Sequence, residues 1–333
     1  VSTNNGRVVV RALGKPLALG VDLGGTKVNV GLVDAYGCLL CSRKSFVHPS
    51  KQPEKVIDTI LDGVDFCQRK VGTEAEVFGI GVAAQLDNSG VVIGSPNLGW
   101  QNLPFKKMLE QKLDLPVFVT NDVRAATWGE WRYGSGQGVD VLAAVFVGTG
   151  VGGGVISHGN LLSGCNNIAG ELGHITLIFD GNKCRCPNRG CLEAYAGGWA
   201  IAERAQQAIR DSPKEGQLLV SLAGSIENVS AEHVGAAFHE DDLLAKRLVE
   251  KTGRYLAAGV VSVVNAFNPC MVVLGGGVVE GIPELIQTVR DIVPSMALKA
   301  AVDGLQIVKA KLGGEAAVVG AASLSQKMVT DTL

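Results

Sequence analysis

Short apolar runs alternate with amphipathic stretches along this chain, and the alternation alone predicts its elements. Apolar LALGV (17–21) runs into Asp22-Leu23-Gly24-Gly25-Thr26, apolar-rich VNVGLV (28–33) follows, and Asp34-Ala35-Tyr36-Gly37 closes the segment. Two such runs around a glycine-rich tip predict a β-hairpin. Residues 54–70 carry Val56, Ile57, Ile60, Leu61, Val64 and Phe66 at helical spacing. VFGIGVA (77–83) predicts a buried strand and residues 104–113 a short helix with Pro104 near its first turn. VFVT (117–120) predicts a strand that ends at Asn121-Asp122, followed by a helix from about Val123 to Tyr133.

The second half opens the same way. VLAAVFV (141–147) leads into Gly148-Thr149-Gly150, and at an offset of 123 positions Gly25/Gly148, Thr26/Thr149, Val28/Val151 and Gly31/Gly154 are identical. One element at the start of each half predicts two lobes of related topology, each an α/β unit. Helical patterning dominates from about 197 to 267 and leads to the strand CMVVL (270–274), the turn Gly275-Gly276-Gly277 and a helix with Pro283 at its start. The Ala-rich tail from Glu315 to Thr330 predicts a last helix. The expected division is a small lobe of residues 1–123 joined by that C-terminal helix (about 316–333), and a large lobe of 124–315; residues 1–16 form a short arm ahead of the first strand.

Composition narrows the class. The chain has 333 residues, 47% of them hydrophobic, enough for sizeable cores. Thirty basic and 32 acidic residues give a net charge of -2, without the basic excess that a nucleic-acid or anionic-membrane partner would call for. The longest apolar run, Tyr255 to Val264, falls short of the ~18 residues of a membrane span, and the first residues lack the pattern of a secretion leader. The expectation is a soluble, cytoplasmic protein. Its eight cysteines fit a reducing compartment, since Cys184, Cys186 and Cys191 crowd together near a histidine while the others are scattered.

The glycine clusters at 24–25, 148–154 and 275–277 each follow an apolar strand. Glycine lets backbone N–H groups approach phosphate oxygens, and open α/β sheets bind ligands at the carboxyl ends of their strands. Three such turns converging on one cleft would hold a nucleotide polyphosphate. Residues 148–153 also satisfy G-x-G-x-x-G, but β-branched VISHGN follows where the dinucleotide fingerprint needs a helix. Asp22, at a strand end before the first tip, can hold a Mg²⁺-bound water facing the phosphates. Thr26 can bond a phosphate oxygen; Lys27 either neutralises phosphate or is a solvated hairpin charge. Asp122 is the catalytic candidate: a carboxylate at a strand's carboxyl end can accept the proton of an attacking hydroxyl. It is equally placed to be the cap of the following helix.

The most specific signal is His174, Cys184, Cys186 and Cys191, H-x₉-C-x-C-x₄-C. One imidazole and three thiolates make a closed, tetrahedral, structural zinc site. It would pin the irregular stretch from Phe179 to Gly190 and aim Glu171, His174 and Glu193 at adjacent hydroxyls, as on a sugar. Ser95-Pro96-Asn97-Leu98-Gly99-Trp100 offers an amide at Asn97 and a flat ring at Trp100, either for a sugar or as a plain surface turn.

DLGGTK (22–27), NDVRAA (121–126), VGTGVGGGV (147–155), AGELGH (169–174) and CRCPNRGCLE (184–193) resemble the ROK family of sugar kinases and regulators, from about Leu17 to Gly320. The resemblance implies the two-lobed fold of actin-like ATPases and hexokinases (ribonuclease H-like), ATP and Mg²⁺ as cosubstrates, a structural Zn²⁺, and a homodimer or higher homo-oligomer. By motif it implies Asp122 as base, and Asn121, Glu171, His174 and Glu193 as sugar contacts, His174 doubling as a zinc ligand. Gly24, Gly25, Thr26, Gly148, Thr149, Gly150, Gly276 and Gly277 match the nucleotide-binding turns. Two departures stand out: Pro187 replaces a common glycine in the zinc loop, and Gly81-Val82-Ala83-Ala84 stands where G-x-P-G is usual. The expected activity is phosphorylation of a hexose 6-hydroxyl, glucose foremost. Alternatives are a kinase for N-acetylmannosamine, N-acetylglucosamine, fructose or allose, or a sugar-sensing regulator. Regulators of the family carry an N-terminal helix-turn-helix, for which 16 residues are too few.

Overall fold

The structure is a computed structural model, and it describes residues 16–331 together with the backbone of 2–4 and 7–9, where Ser2–Asn4 pairs antiparallel with Arg7–Val9. The chain forms two compact units: residues 1–138, 161–169 and 314–333 make the first, and 139–160 and 170–313 the second.

The first unit is built on a mixed sheet. Its strands are β1 (Ala18–Leu23), β2 (Lys27–Val33), β3 (Leu39–Phe46), β4 (Val77–Val82) and, after the small meander β5 (Gln85–Leu86), β6 (Val92–Ser95) and β7 (Trp100–Leu103), β8 (Val117–Asn121). The order in the main sheet is β8-β4-β1-β2-β3. β1 pairs antiparallel with β2 and parallel with β4, which pairs parallel with β8. Period-2 alternation divides β1 between two faces. Leu19, Val21 and Leu23 pack with Val56, Ile57, Ile60 and Val64 of helix α1 (Pro53–Val71). Leu61 and Phe66, on the same predicted stripe, are only partly buried.

On the opposite face the C-terminal helix (Ala316–Asp331) lies directly on the sheet. A Cβ on Gly20 or Gly79 would overlap the carbonyls of Val318 and Ala321, so only glycine admits this helix at backbone distance. Beside it runs α3 (Asp122–Tyr133), which follows the short α2 (Phe105–Glu110) and β8. Trp128 Nε1 donates to Ser323 Oγ at 3.1 Å. This packing corrects the expected boundary at 123/124. The helix after Asp122 buries its apolar face in the first unit, and the division falls at 138/139.

The second unit carries β9 (Val141–Val147) and β10 (Val151–Ser157), the short helix α4 (Glu193–Ala196), helices α5 (Gly198–Asp211), α6 (Gln217–Ala223), α7 (Ala231–His239) and α8 (Leu243–Phe267), then β11 (Met271–Gly275), α9 (Gly277–Gly281), α10 (Glu284–Met296), α11 (Lys299–Val302) and β12 (Gln306–Lys309). Its sheet runs β10-β9-β11-β12, with β9 antiparallel to β10 and parallel to β11. The long α8 starts at Asp242, whose carboxylate accepts from Ala245 N at 2.8 Å, and stops at Asn268 in the left-handed conformation. Among the described residues no helix is long and apolar enough to cross a membrane.

Candidate functional site

Both predicted hairpins form, with one difference in register. In the first the last paired residues are Leu23 and Val28; in the second they are Val147 and Val151, one residue tighter. The offset of 123 therefore holds for the second strand of each hairpin and slips to 124 for the first. Asp22 then matches Phe146, so only the first unit carries a carboxylate at this place. No helix follows Gly153, as the rejection of the dinucleotide fingerprint required; its residues continue as β10.

Each glycine cluster divides its labour between packing and access. Gly25 faces Asn97, with a Cβ position 2.7 Å from that of Asn97; Gly150 faces the Glu193 carboxylate; Gly276, at φ 88°, is pressed on the Val147 backbone. By contrast Gly148 and Gly277 face open space, and Gly24 meets nothing closer than the Lys27 carbonyl at 3.5 Å. An open glycine in each turn is what a phosphate oxygen needs to reach backbone N–H groups, so these residues fit a nucleotide. Thr26, Lys27 and Thr149 are exposed.

Asp22 pairs across the sheet with Asn29 on one side and Gly81 on the other, and Asn29 pairs in turn with Lys44. Burial pushes the Asp22 carboxyl up to about 6, against the opposing pull of Lys44. The Asn29 side chain is 6% exposed and neither of its amide atoms has a hydrogen-bond partner. A carboxylate beside an unsatisfied buried amide fits a hydrated Mg²⁺.

Asn121 and Asp122 lie at the same end of the same sheet. Leu23, Val82 and Asn121 stand in register on adjacent parallel strands, two strand spacings or about 10 Å across. Gly81 is on the face of Asp22, and a Cβ there would come 2.9 Å from the Asp122 Cα. The helix cap is Asn121, whose Oδ1 accepts from Val123 N (2.9 Å) and Arg124 N (3.0 Å). Asp122 is the first helical residue, its Oδ1 accepting from Val123 N. The Asn121 amide donates to Ala84 O at 3.3 Å and Ser95 Oγ to Ala83 O at 2.8 Å, so the departure at 83–84 supplies backbone acceptors beside the candidate base.

Trp100 does not offer the flat face considered from the sequence. It is 6% exposed, its Nε1 donates to Lys51 O at 2.7 Å, and its ring packs on Phe105. The indole anchors the loop, and Asn97 is the exposed member, its carbonyl taking the Lys51 ammonium at 2.7 Å.

In the second unit the four predicted metal-binding side chains come together. One donor atom from each of His174, Cys184, Cys186 and Cys191 lies within 4.8 Å of all the others. His174 Nδ1 is 3.7 Å from Cys184 Sγ, and Cys186 Sγ is 3.7 Å from Cys191 Sγ. Four ligands about 2.3 Å from a tetrahedral Zn²⁺ stand about 3.8 Å apart, so the set fits the metal. Burial raises the Cys184 and Cys191 thiols, Cys184 to about 12. The loop is more regular than expected: Thr176 bridges Cys191 and Lys183 bridges Arg189. Pro187 is accommodated in a turn closed by Cys184 N donating to Asn188 O at 3.1 Å.

Glu193 ties this loop to the second glycine turn. Its Oε2 accepts from Val151 N (2.9 Å) and its Oε1 from Trp199 Nε1 (3.3 Å). The turn is held as well from α5, where Gly198 N and Trp199 N donate to Gly148 O and Thr149 O. Glu171 immediately precedes the 3₁₀ turn Leu172–His174.

Besides Asn29, sequence reasoning missed three contributors. Trp199 carries the Arg185 guanidinium 4.7 Å above its ring. Tyr195 Oη accepts from Asn182 N at 2.7 Å. Arg124, inside NDVRAA, is 5% exposed and bonds to residues 163–167. Its signal was a charged residue on the helical stripe of Thr127, Trp128 and Trp131.

The ROK family model matches residues 18–328. The chain belongs to the ROK family. The glucokinase of Thermotoga maritima is 35% identical over 319 residues, 93% of this chain and 98% of that protein. The xylose repressor of Bacillus subtilis is 28% identical over 310 residues, 92% of this chain and 76% of the repressor. A solved ROK glucokinase from Streptomyces griseus, in complex with glucose and AMPPNP, aligns with a TM-score of 0.82 at 34% identity, over 93% of this chain and 99% of that one. The expected fold holds: α/β, with the two lobes of the actin-like ATPases and hexokinases.

Proposed function

We propose that this ROK protein is an ATP-dependent hexose kinase that phosphorylates the 6-hydroxyl of glucose. The observation that carries the reading is the register that sets Asp22 and the Asn121-Asp122 pair at one end of one sheet. The T. maritima and S. griseus relatives, both glucokinases, point the same way.

Asp122 accepts the proton of the sugar hydroxyl as that oxygen bonds to the γ-phosphorus and the bond to ADP breaks. Asn97, Asn121, Glu171, His174 and Glu193 are the proposed sugar contacts. With His174 Nδ1 turned to the thiolates, Nε2 is the nitrogen left for a hydroxyl. The turns of Gly24, Gly25, Gly148, Thr149, Gly150, Gly276 and Gly277, with Thr26 and Lys27, cradle the phosphates; the N–H groups of Gly24 and Gly148 close their own turns onto Lys27 O and Gly150 O, which leaves the contacts to the other members. Asp22 and Asn29 would hold the hydration shell of Mg²⁺, which when bound neutralises phosphate charge. His174, Cys184, Cys186 and Cys191 would hold a structural Zn²⁺. The gathering of Cys184, Cys186 and Cys191 with His174 supports a reducing, cytoplasmic setting. We assign the chain as a homodimer or higher homo-oligomer, to be read by light scattering.

The decisive experiment is Asp122→Asn. Glucose binding should survive, measured without ATP, while turnover falls by about 10²–10⁴-fold. Wild-type turnover in that variant refutes the assigned base. Running ADP release over glucose, N-acetylmannosamine, N-acetylglucosamine, fructose and allose tests the sugar.

A further inference from the structure

Residues 161–169 belong to the first unit although the chain on either side of them belongs to the second. Arg124 is what holds them. Its Nη1 donates to Asn167 O (2.8 Å) and Asn167 Oδ1 (2.6 Å), and its Nη2 to Ser163 Oγ (2.8 Å). The strap is fixed at its other side by the β5–β6 turn, where Asn167 Nδ2 donates to Asp87 O at 3.1 Å and Asn88 Nδ2 to Cys165 O at 3.3 Å. Asn167 stands in the left-handed conformation, φ 60°, which turns its carbonyl and side-chain oxygen onto the same guanidinium.

A buried guanidinium bound at three acceptors is a rigid joint, because its donors are planar and fixed in direction. One end of this joint is the first turn of α3, two residues from Asp122. The other end is a strap that runs through Gly170 straight into Glu171. We infer that Arg124 is a positioning residue for the sugar half of the reaction. It locks the turn that presents Asp122 and fixes the point from which the chain enters the Glu171–His174 run. It acts on the acceptor sugar and leaves the nucleotide turns untouched. This inference rests on the kinase reading of Asp122 and Glu171.

The test compares Arg124→Ala, Arg124→Lys and Asn167→Gly with the wild type, each checked for folding by circular dichroism. Glycine keeps the left-handed backbone and the carbonyl acceptor at 167 and removes the side chain, with its acceptor for Arg124 and its donor to Asp87 O, so it loosens the strap while the guanidinium stays and reports even where loss of the guanidinium impairs folding. Displacing reacting groups by about an ångström costs up to about 10²-fold. The Ala variant should therefore raise the glucose KM and lower kcat by about tenfold or more. Lys should restore little, since one ammonium cannot span the three acceptors, and Asn167→Gly should move glucose KM in the same direction by a few-fold. Binding of AMPPNP, measured by calorimetry without sugar, should stay within about twofold throughout. Folded variants with wild-type glucose KM and kcat overturn the inference, as does an equal loss for glucose and AMPPNP, which marks general loosening. A wild-type protein that releases no ADP with any hexose refutes the kinase reading itself, and the inference with it.

Discussion

Asp22 is a carboxylate held where its charge is unwelcome. Its raised pKa, about 6 against 3.8, means that the folded chain binds more protons than the unfolded one between those two values. Stability then falls as pH rises through this window, the penalty being complete above about 6, on the order of 3 kcal/mol as an upper limit. Asp22→Asn should accordingly raise the melting temperature of the nucleotide-free protein in EDTA at pH 8. The gain should shrink as pH falls from 6 to 4. A gain independent of pH would show that burial of the charge is not the cause. The same variant should lose turnover, a strained group being kept for what it binds. The neighbouring Asn29 was unreadable from sequence, since nothing in VNVGLV says that its amide would be enclosed without a partner.

At the scale of elements, the metal loop and the helix–sheet contact make separate demands. Wild-type protein should carry about one zinc per chain, and Cys184→Ser should lose it, with a lower melting temperature and a protease-sensitive 179–190 stretch. Metal retention with unchanged melting would refute the loop-pinning role. Gly79→Ala should destabilise the protein by about 1–3 kcal/mol in chemical denaturation, because the new methyl meets the backbone carbonyl of Ala321 and neither can turn aside. An unchanged denaturation midpoint would show that the C-terminal helix yields at that point. The elements themselves were legible because they rest on local signals: 3.6-residue spacing in α1, apolar runs in β1, β4 and β9, glycine at the tips. The cysteine spacing pointed to the cluster of His174, Cys184, Cys186 and Cys191 for the same reason. What was hidden depends on contacts far apart in sequence. Trp100 looks exposed in a polar loop until Lys51 and Phe105 close over it, and α3 looks like the start of the second lobe until Ser323 and Gly320 arrive almost two hundred residues later.

For the whole molecule, ligands should report through linkage. AMPPNP with Mg²⁺, at a hundred times its dissociation constant, should add about 2.7 kcal/mol to the unfolding free energy. A melting temperature that does not move with nucleotide would rule out binding at the glycine turns. A last consequence follows from the composite make-up of the first unit, three stretches of chain of which Gly314–Leu333 is the final one. A ribosome adding roughly 5–20 residues per second emits the β-sheet early and the helix that roofs it only after Gly313. Throughout that interval the glycine-lined floor around Gly20 and Gly79 is bare. The second unit, whose stretches finish at Gly313, can close first. Completion thus runs opposite to the start of synthesis: the unit begun first is the one closed last.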